Sequence, residues 1–191
     1  EFVPFDYYRN VRLDRHGNPV DREVFVGKDR LTDYGRSNVL GIQGNLWSET
    51  LNGDGRLEHR LVPKLLGVAE RAWAPDPDWA REKDEARSEA LFREAWSVFA
   101  NVVGKVELPR LDREVPPWSY RIPTPGLSVA DGQVRSSLGI PGFVLRYTTE
   151  GSEPTAKSPE VRGEIPLARD VRVAAFDTRG RKGHTARITT P

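Results

Sequence analysis

Apolar and polar positions alternate in three different rhythms along this chain. Residues 41–50 read as one short buried strand that ends in an aromatic residue and a carboxylate, Trp47 and Glu49, with Val39, Leu40, Ile42 and Leu46 as strand formers set among small and amide residues. Residues 51–58 are polar and Gly-containing and read as a loop. Beyond them Leu61, Leu65, Val68, Ala69, Ala72 and Trp73 fall on one helical face, with Pro63 in the first turn, where its missing N–H is tolerated. Pro75-Asp76-Pro77-Asp78 then breaks the chain. A second helix is predicted over residues 82–103 from the stripe Phe92, Trp96, Phe99 and Val103, flanked by Leu91, Ala95 and Val102. Gly104 is its expected stop. Trp79 and Trp96 are expected to pack with that helix.

From about residue 122 the rhythm shortens. Phe143-Val144-Leu145-Arg146-Tyr147-Thr148-Thr149, Val171-Arg172-Val173-Ala174-Ala175-Phe176-Asp177 and Ala186-Arg187-Ile188-Thr189-Thr190 read as strands. Turns are marked at Asp131-Gly132, Glu150-Gly151, Arg162-Gly163 and Arg179-Gly180. Short strands at this spacing predict a small β-sandwich. Between the halves, Pro109, Pro116, Pro117, Pro123 and Pro125 mark an extended connection, and the expected domains are residues 1–115 and 116–191. Trp118 and Tyr120 interrupt these prolines, either as sugar contacts or as pins that hold the connection on a domain.

The first half has strand, loop and amphipathic helix in sequence, which is one unit of an α/β barrel or of an open α/β sheet. In barrels, active sites sit at the carboxyl ends of the strands. Trp47 and Glu49 stand there, on one face because side chains alternate along a strand. An indole face suits the C–H face of a sugar ring, and a carboxylate accepts from two hydroxyls. The same two residues also suit ordinary strand-end packing and a solvated loop.

The run Gly41-Ile42-Gln43-Gly44-Asn45-Leu46-Trp47-Ser48-Glu49, followed by Leu61-Val62-Pro63-Lys64-Leu65-Leu66-Gly67-Val68-Ala69-Glu70-Arg71-Ala72-Trp73, closely resembles the end of the catalytic barrel in glycoside hydrolase family 20, the β-N-acetylhexosaminidases with their chitobiase-like members. The resemblance implies that Trp47 and Glu49 lie on the eighth barrel strand. Trp47 would pack on an N-acetylglucosamine ring and Glu49 would accept from its outer hydroxyls. It also implies exo-acting, substrate-assisted retaining hydrolysis of chitooligosaccharides or glycans, an exception to the two-carboxylate pattern of glycosidases. No metal or organic cofactor is implied, and a periplasmic or secreted location is.

The family's catalytic acid lies in a His-x-Gly-Gly-Asp-Glu motif that this sequence lacks. Its Asp-Glu pair, Asp84-Glu85, stands in a charged run with no His-x-Gly-Gly before it and reads as a helix start. Asp6, Tyr7 and Tyr8 lie in a segment that resembles the loop after the seventh strand, so no catalytic role carries over to them. Residues 1–37 read as a long excursion between strands, with a turn at His16-Gly17-Asn18-Pro19. Phe25 and Tyr34 are expected to line an outer subsite or pack on the barrel rim. A whole barrel needs about 250 residues, so the chain is expected to be the carboxyl-terminal part of a larger enzyme. It supplies sugar-binding residues but no catalytic pair, is inactive alone, and is partnered by the remainder of the barrel.

Leu145-Arg146-Tyr147-Thr148-Thr149-Glu150-Gly151-Ser152-Glu153-Pro154-Thr155 is similar to the immunoglobulin-like carboxyl-terminal domain of chitobiase-type enzymes, where Asp is usual at the position of Glu150. Ser152, Pro154 and Thr155 read as turn chemistry. The expected fold is thus α+β: the end of a (β/α)₈ barrel followed by a small all-β sandwich. The alternative is a non-catalytic carbohydrate-binding or structural sandwich with a helical extension. In that case Trp118, Tyr120, Phe143, Tyr147 and Phe176 are the aromatics at issue, the last three with a core pattern.

Composition narrows the rest. A net charge of +1 over 191 residues argues against an electrostatic nucleic-acid binder. The absence of cysteine excludes disulfides and thiolate metal sites. No apolar run approaches the roughly 20 residues of a membrane span. His16, His59 and His184 lack ligand spacing, and Asn52-Gly53-Asp54-Gly55 lacks the repeating carboxylates of a calcium loop.

Overall fold

The structure is a computed structural model that describes residues 18, 20–21, 31–47, 49 and 51–190. The chain divides into two compact units, Glu1–Glu94 and Ala95–Pro191. Asp6, Tyr7, Tyr8, Phe25 and, Asn18 apart, the turn predicted at residues 16–19 lie outside the described residues.

In the first unit the described residues are helical or irregular. Helix α1, Asp33–Ser37, starts at Thr32, whose Oγ1 accepts from the Gly35 amide at 3.0 Å. The buried strand expected at residues 41–50 is not formed over its described residues, 41–47 and 49. The segment has no ladder partner among the described residues, and Val39, Leu40, Ile42, Leu46 and Trp47 are exposed. A lone strand leaves its own N–H and C=O groups unpaired and has no sheet face to bury, so its apolar pattern alone cannot fix it as a strand.

The loop expected at residues 51–58 is also corrected. Helix α2, Asp54–Leu61, begins inside it from Gly53, whose φ of 83° is in the left-handed region that glycine favours. Helix α3, Lys64–Trp73, follows with Pro63 at its N-cap position. Its predicted inner face is largely bare, because Leu65, Ala69, Ala72 and Trp73 are exposed.

Helix α4, Asp78–Arg81, carries Trp79 into a small core. The Trp79 ring meets Phe92 edge-on, with centroids 5.3 Å apart, and the Arg71 guanidinium lies 6.0 Å from its centroid. The buried Ser88 Oγ donates to the Trp79 carbonyl at 2.6 Å. Helix α5, Glu85–Val102, is capped by Asp84, whose Oδ1 accepts from the Arg87 amide at 2.7 Å. Glu82 accepts from the Lys83 and Asp84 amides and pairs with Arg87 at 3.1 Å.

In the second unit the helical path does not stop at Gly104. It passes through a π turn, Val103–Glu107, into helix α6, Leu108–Leu111. The wide turn precedes Pro109, which has no N–H to return to the turn before it. Glycine at position 104 serves a close approach instead. A Cβ there would lie 1.8 Å from the Pro141 carbonyl oxygen.

Two antiparallel sheets form the sandwich. In the first, β1, Gly126–Ala130, and β2, Gln133–Ser137, make a hairpin, and β4, Ile165–Pro166, pairs with β2 through Val134↔Ile165. Asp131 and Gly132 form the hairpin's two-residue loop, with φ of 52° and 72°, as a turn matching strand twist requires. In the second, β5, Asp170–Phe176, is central between β3, Val144–Thr148, and β6, Ala186–Thr189, with pairs Leu145↔Ala175 and Val171↔Ile188.

Val134 and Ile165 from one sheet and Val171 and Val173 from the other make a fully buried cluster, with Leu127, Leu145, Tyr147 and Ile188 packed around it. Each such side chain contributes about 1.5–3 kcal/mol by leaving water. The predicted sandwich and its three long-patterned strands are therefore formed, and β1, β2 and β4 are additional to them.

Candidate functional site

Trp47 is 76% exposed at the end of the irregular segment, and Glu49 is exposed in the turn two residues on. Gln43 Nε2 donates to Asn45 Oδ1 at 2.8 Å within the same segment, a short-range tie where no ladder forms. A bare indole and a bare carboxylate two positions apart are available for ring stacking and for accepting hydroxyl protons. Tyr34 is exposed on α1 and has no burial against a core.

Asp84 and Glu85 are occupied as a helix start, with Asp84 on the Arg87 amide. Asn52-Gly53-Asp54-Gly55 forms the entry to α2, where the Gly53 carbonyl accepts from the Arg56 and Leu57 amides. Among the described residues, no three His, Cys, Asp or Glu side chains converge on a point that could hold a metal. No helix there is long and apolar enough to cross a membrane.

The second unit holds a polar cluster that sequence patterning did not reveal. Tyr120 is buried, and its hydroxyl donates to Asp112 Oδ2 at 2.7 Å. Arg181 donates through Nε to Asp177 Oδ2 at 2.5 Å, through Nη1 to the Trp118 carbonyl at 2.9 Å, and through Nη2 to Asp112 Oδ1. Asp177 Oδ1 in turn accepts from the Arg179 and Arg181 amides. Burial, then the hydrogen bond and charge of Asp112, push the Tyr120 hydroxyl above its ordinary range. Burial lowers Arg181, but Asp177, Tyr120 and Asp112 outweigh it and hold the guanidinium above its ordinary value. Tyr120 therefore acts as a pin for the connection, one of the two roles its sequence allowed.

The turn read from Thr149-Glu150-Gly151-Ser152 has the expected chemistry. Ser152 Oγ and the Thr149 amide donate to Glu150, which lowers its carboxyl, Ser152 first. The longer Glu side chain thus still closes the turn. Nearby, Glu153 is drawn down to about 2 by Thr185, Lys182 and Arg172, and Asp170 to about 2 by Arg187 and Arg172. This is a surface ion network with Arg172 shared between two carboxylates, Glu153 Oε1 at 2.8 Å and Asp170 Oδ2 at 3.2 Å.

Residues 10–76 match the family model of the glycosyl hydrolase family 20 catalytic domain, and residues 107–186 match that of the chitobiase/beta-hexosaminidase C-terminal domain. The chain is similar to N,N'-diacetylchitobiase of Vibrio harveyi, 29% identical over 86% of this chain and 19% of that protein. It is similar to a beta-hexosaminidase of Vibrio vulnificus, 27% identical over 79% of this chain and 19% of that protein. Beta-hexosaminidase B of Pseudoalteromonas piscicida is 58% identical over 74 residues, which are 38% of this chain and 9% of that protein. The chain thus spans about a fifth of the length of the first two relatives.

Proposed function

We propose, for a chain that belongs to glycosyl hydrolase family 20, that it is the part of an exo-acting β-N-acetylhexosaminidase that ends the catalytic domain and carries the sandwich behind it. The observation that carries this reading is the family match over residues 10–76, which includes both Trp47 and Glu49. In the whole enzyme, Trp47 covers the apolar face of a terminal N-acetylhexosamine. Glu49 accepts from its outer hydroxyls through charge-assisted hydrogen bonds. The substrate's own acetamido oxygen attacks the anomeric carbon while an acid outside this chain protonates the leaving oxygen. The substrates are chitooligosaccharides or glycans that end in N-acetylglucosamine or a related sugar.

The bare apolar side chains of the first unit support a larger partner surface. Leu40, Ile42, Leu65 and Trp73 are all exposed, and side chains of this kind are ordinarily covered in a finished fold. The proposed cover is the remainder of the barrel. The 191-residue chain by itself is proposed to lack hydrolytic activity, because its sequence carries no His-x-Gly-Gly-Asp-Glu motif.

The test is a chromogenic N-acetylglucosaminide assayed with the whole enzyme. Glu49→Gln is expected to lower kcat/KM by roughly 1–3 kcal/mol of transition-state binding, the worth of charge-assisted hydrogen bonds. Trp47→Ala is expected to damage KM and kcat together, since ring placement is lost. Unchanged kcat/KM in both variants removes the assigned roles, and hydrolysis by the isolated 191-residue chain removes the assignment of the acid to another segment.

A further inference from the structure

We infer that Asn52-Gly53 is a self-modification site, at which the Asn52 carboxamide is lost through a cyclic imide and leaves aspartate or isoaspartate in its place. The inference stands on these residues alone and does not depend on glycosidase activity. Asn52 is exposed and irregular, directly ahead of α2, and Gly53 holds the N-cap position with φ of 83°. Among the described residues, neither the Asn52 carboxamide nor the Gly53 amide has a hydrogen-bond partner. Only the Gly53 carbonyl is engaged, by the Arg56 and Leu57 amides. A Cβ added to Gly53 would meet nothing within 4 Å, so the space beside it is open.

The reaction needs a backbone nitrogen that can reach the side-chain carbonyl carbon of the residue before it. The Gly53 nitrogen gives its proton to a solvent base and attacks Asn52 Cγ. A C–N bond forms, the Cγ–Nδ2 bond breaks, and the amide leaves as ammonia. Water then adds to one of the two imide carbonyls. Opening at one restores the ordinary main chain with aspartate. Opening at the other gives isoaspartate, whose main chain runs through the former side chain. Closing a five-membered ring needs no encounter between separate molecules. Glycine leaves the nitrogen unhindered and the backbone free to turn.

Other positions in the chain lack this combination. Asn18 precedes Pro19, which has no N–H to lose. Asn38 Nδ2 donates to the Tyr34 carbonyl at 2.7 Å, and Asn101 Nδ2 to the Ser97 carbonyl at 2.8 Å. Asn45 Oδ1 accepts from Gln43 at 2.8 Å. These three are followed by Val39, Val102 and Leu46, whose branched side chains crowd the attacking nitrogen. Asp54-Gly55 lies inside α2, and Asp131-Gly132 is fixed as a hairpin loop with Asp131 paired to Arg135 at 3.3 Å. Both also present an ionised carboxylate, which resists attack by a nucleophile.

Conversion adds one negative charge at the amino end of α2, where the helix dipole favours it. Ordinary aspartate is therefore compatible with the helix. Isoaspartate lengthens the main chain between Glu49 and α2.

The test incubates the 191-residue chain in warm neutral buffer and follows it by mass spectrometry after trypsin digestion. Cleavage after Arg36 and Arg56 releases Asn38, Asn45 and Asn52 in one peptide. Exchange of amide nitrogen for oxygen should occur at Asn52 at least about tenfold faster than at Asn38, Asn45 or Asn101. The converted peptide should accept a methyl group from a protein isoaspartyl methyltransferase. Gly53→Ala should slow the reaction by at least about tenfold, because the new Cβ crowds the nitrogen and restricts the turn. The rate in the folded chain should stay within about threefold of the rate in guanidinium chloride, as expected where no local structure has to open first. A larger drop on folding overturns the site. So does conversion at Asn52 no faster than at the other asparagines, or conversion that yields no methyl acceptor, which would mean direct hydrolysis without the imide.

Discussion

The guanidinium carbon of Arg181 stands 4.4 Å from the centroid of the Tyr120 ring, while the hydroxyl at the far end of that ring donates to Asp112, which Arg181 also grips. The aromatic ring and the cation thus share one carboxylate from two directions. Tyr120→Phe keeps the stacked ring and removes only the hydroxyl. It is expected to destabilise the second unit by about 1.5–3 kcal/mol, the worth of one hydrogen bond to a charged acceptor, measured by urea denaturation. Tyr120→Ala should cost about 3–5 kcal/mol, because packing and stacking go as well.

Gly104→Ala is expected to be among the most damaging single-methyl changes in the chain. The new Cβ would meet the Pro141 carbonyl oxygen at 1.8 Å and Ile140 Cγ2 at 2.8 Å, and the Pro141 atom belongs to backbone that cannot rotate away. The overpacking penalty should reach about 3 kcal/mol. Gly139→Ala, where nothing lies within 4 Å of an added Cβ, is the matched control and should change the melting temperature little.

Acid should weaken the sandwich through its surface ion network. Glu153 and Asp170 are held at about 2, against ordinary values of 4.5 and 3.8. A carboxyl lowered on folding stabilises the native state above its unfolded value and loses that contribution as the pH falls through its folded value. The melting temperature should therefore be flat with respect to these two groups above about pH 5 and fall from about pH 4 to pH 2. Glu153→Gln should flatten part of that slope. An unaltered slope in a Glu153→Gln, Asp170→Asn double variant would remove the network as its source.

Asp84→Ala tests the reading of the Asp84-Glu85 pair as a helix cap. Loss of the bond to the Arg87 amide should destabilise the chain by about 0.5–2 kcal/mol, the usual cost of removing an N-cap. In the whole enzyme the same change should leave kcat unaltered at a temperature where the protein is folded, whereas a large drop in kcat would return Asp84 to the reaction.

The second sheet was legible in the sequence because its central strand, β5, is apolar and buried along most of its length. Val171 and Val173 point into the core, and the flanking run is apolar enough that no helix period fits it. The first sheet was not legible. In β2 only Val134 is buried, and Gln133, Arg135 and Ser137 are exposed, so the run carries one inward residue where a pattern needs several. Strand β4 is two residues long and has no pattern at all. The Asp131–Gly132 turn was readable, while the strands on either side of it were not.

Gly104 misled for a different reason. Glycine after an apolar stripe reads as a helix stop, but its missing Cβ is needed for contact with residues 140–142, far along the sequence. The same limit hid the Arg181 cluster, since Arg181 and Asp112 lie 69 positions apart and leave no local rhythm. Trp47 and Glu49 stood out through their likeness to a known family more than through their own pattern, because an exposed Trp and Glu at one end of an unpaired segment are chemically unremarkable until a sugar is placed on them.

Trp79, 2% exposed, and Trp73, 90% exposed, sit six residues apart in one unit with Trp47, 76% exposed. Indoles in such different surroundings emit at different wavelengths. Trp79 should contribute a blue component that iodide cannot quench, and Trp47 and Trp73 a red one that it can. A sugar on Trp47 or a polypeptide on Trp73 should move the red component and leave the blue one still. The chain therefore carries its own optical readout of contact at Trp47 or Trp73, with the buried Trp79 as an internal reference.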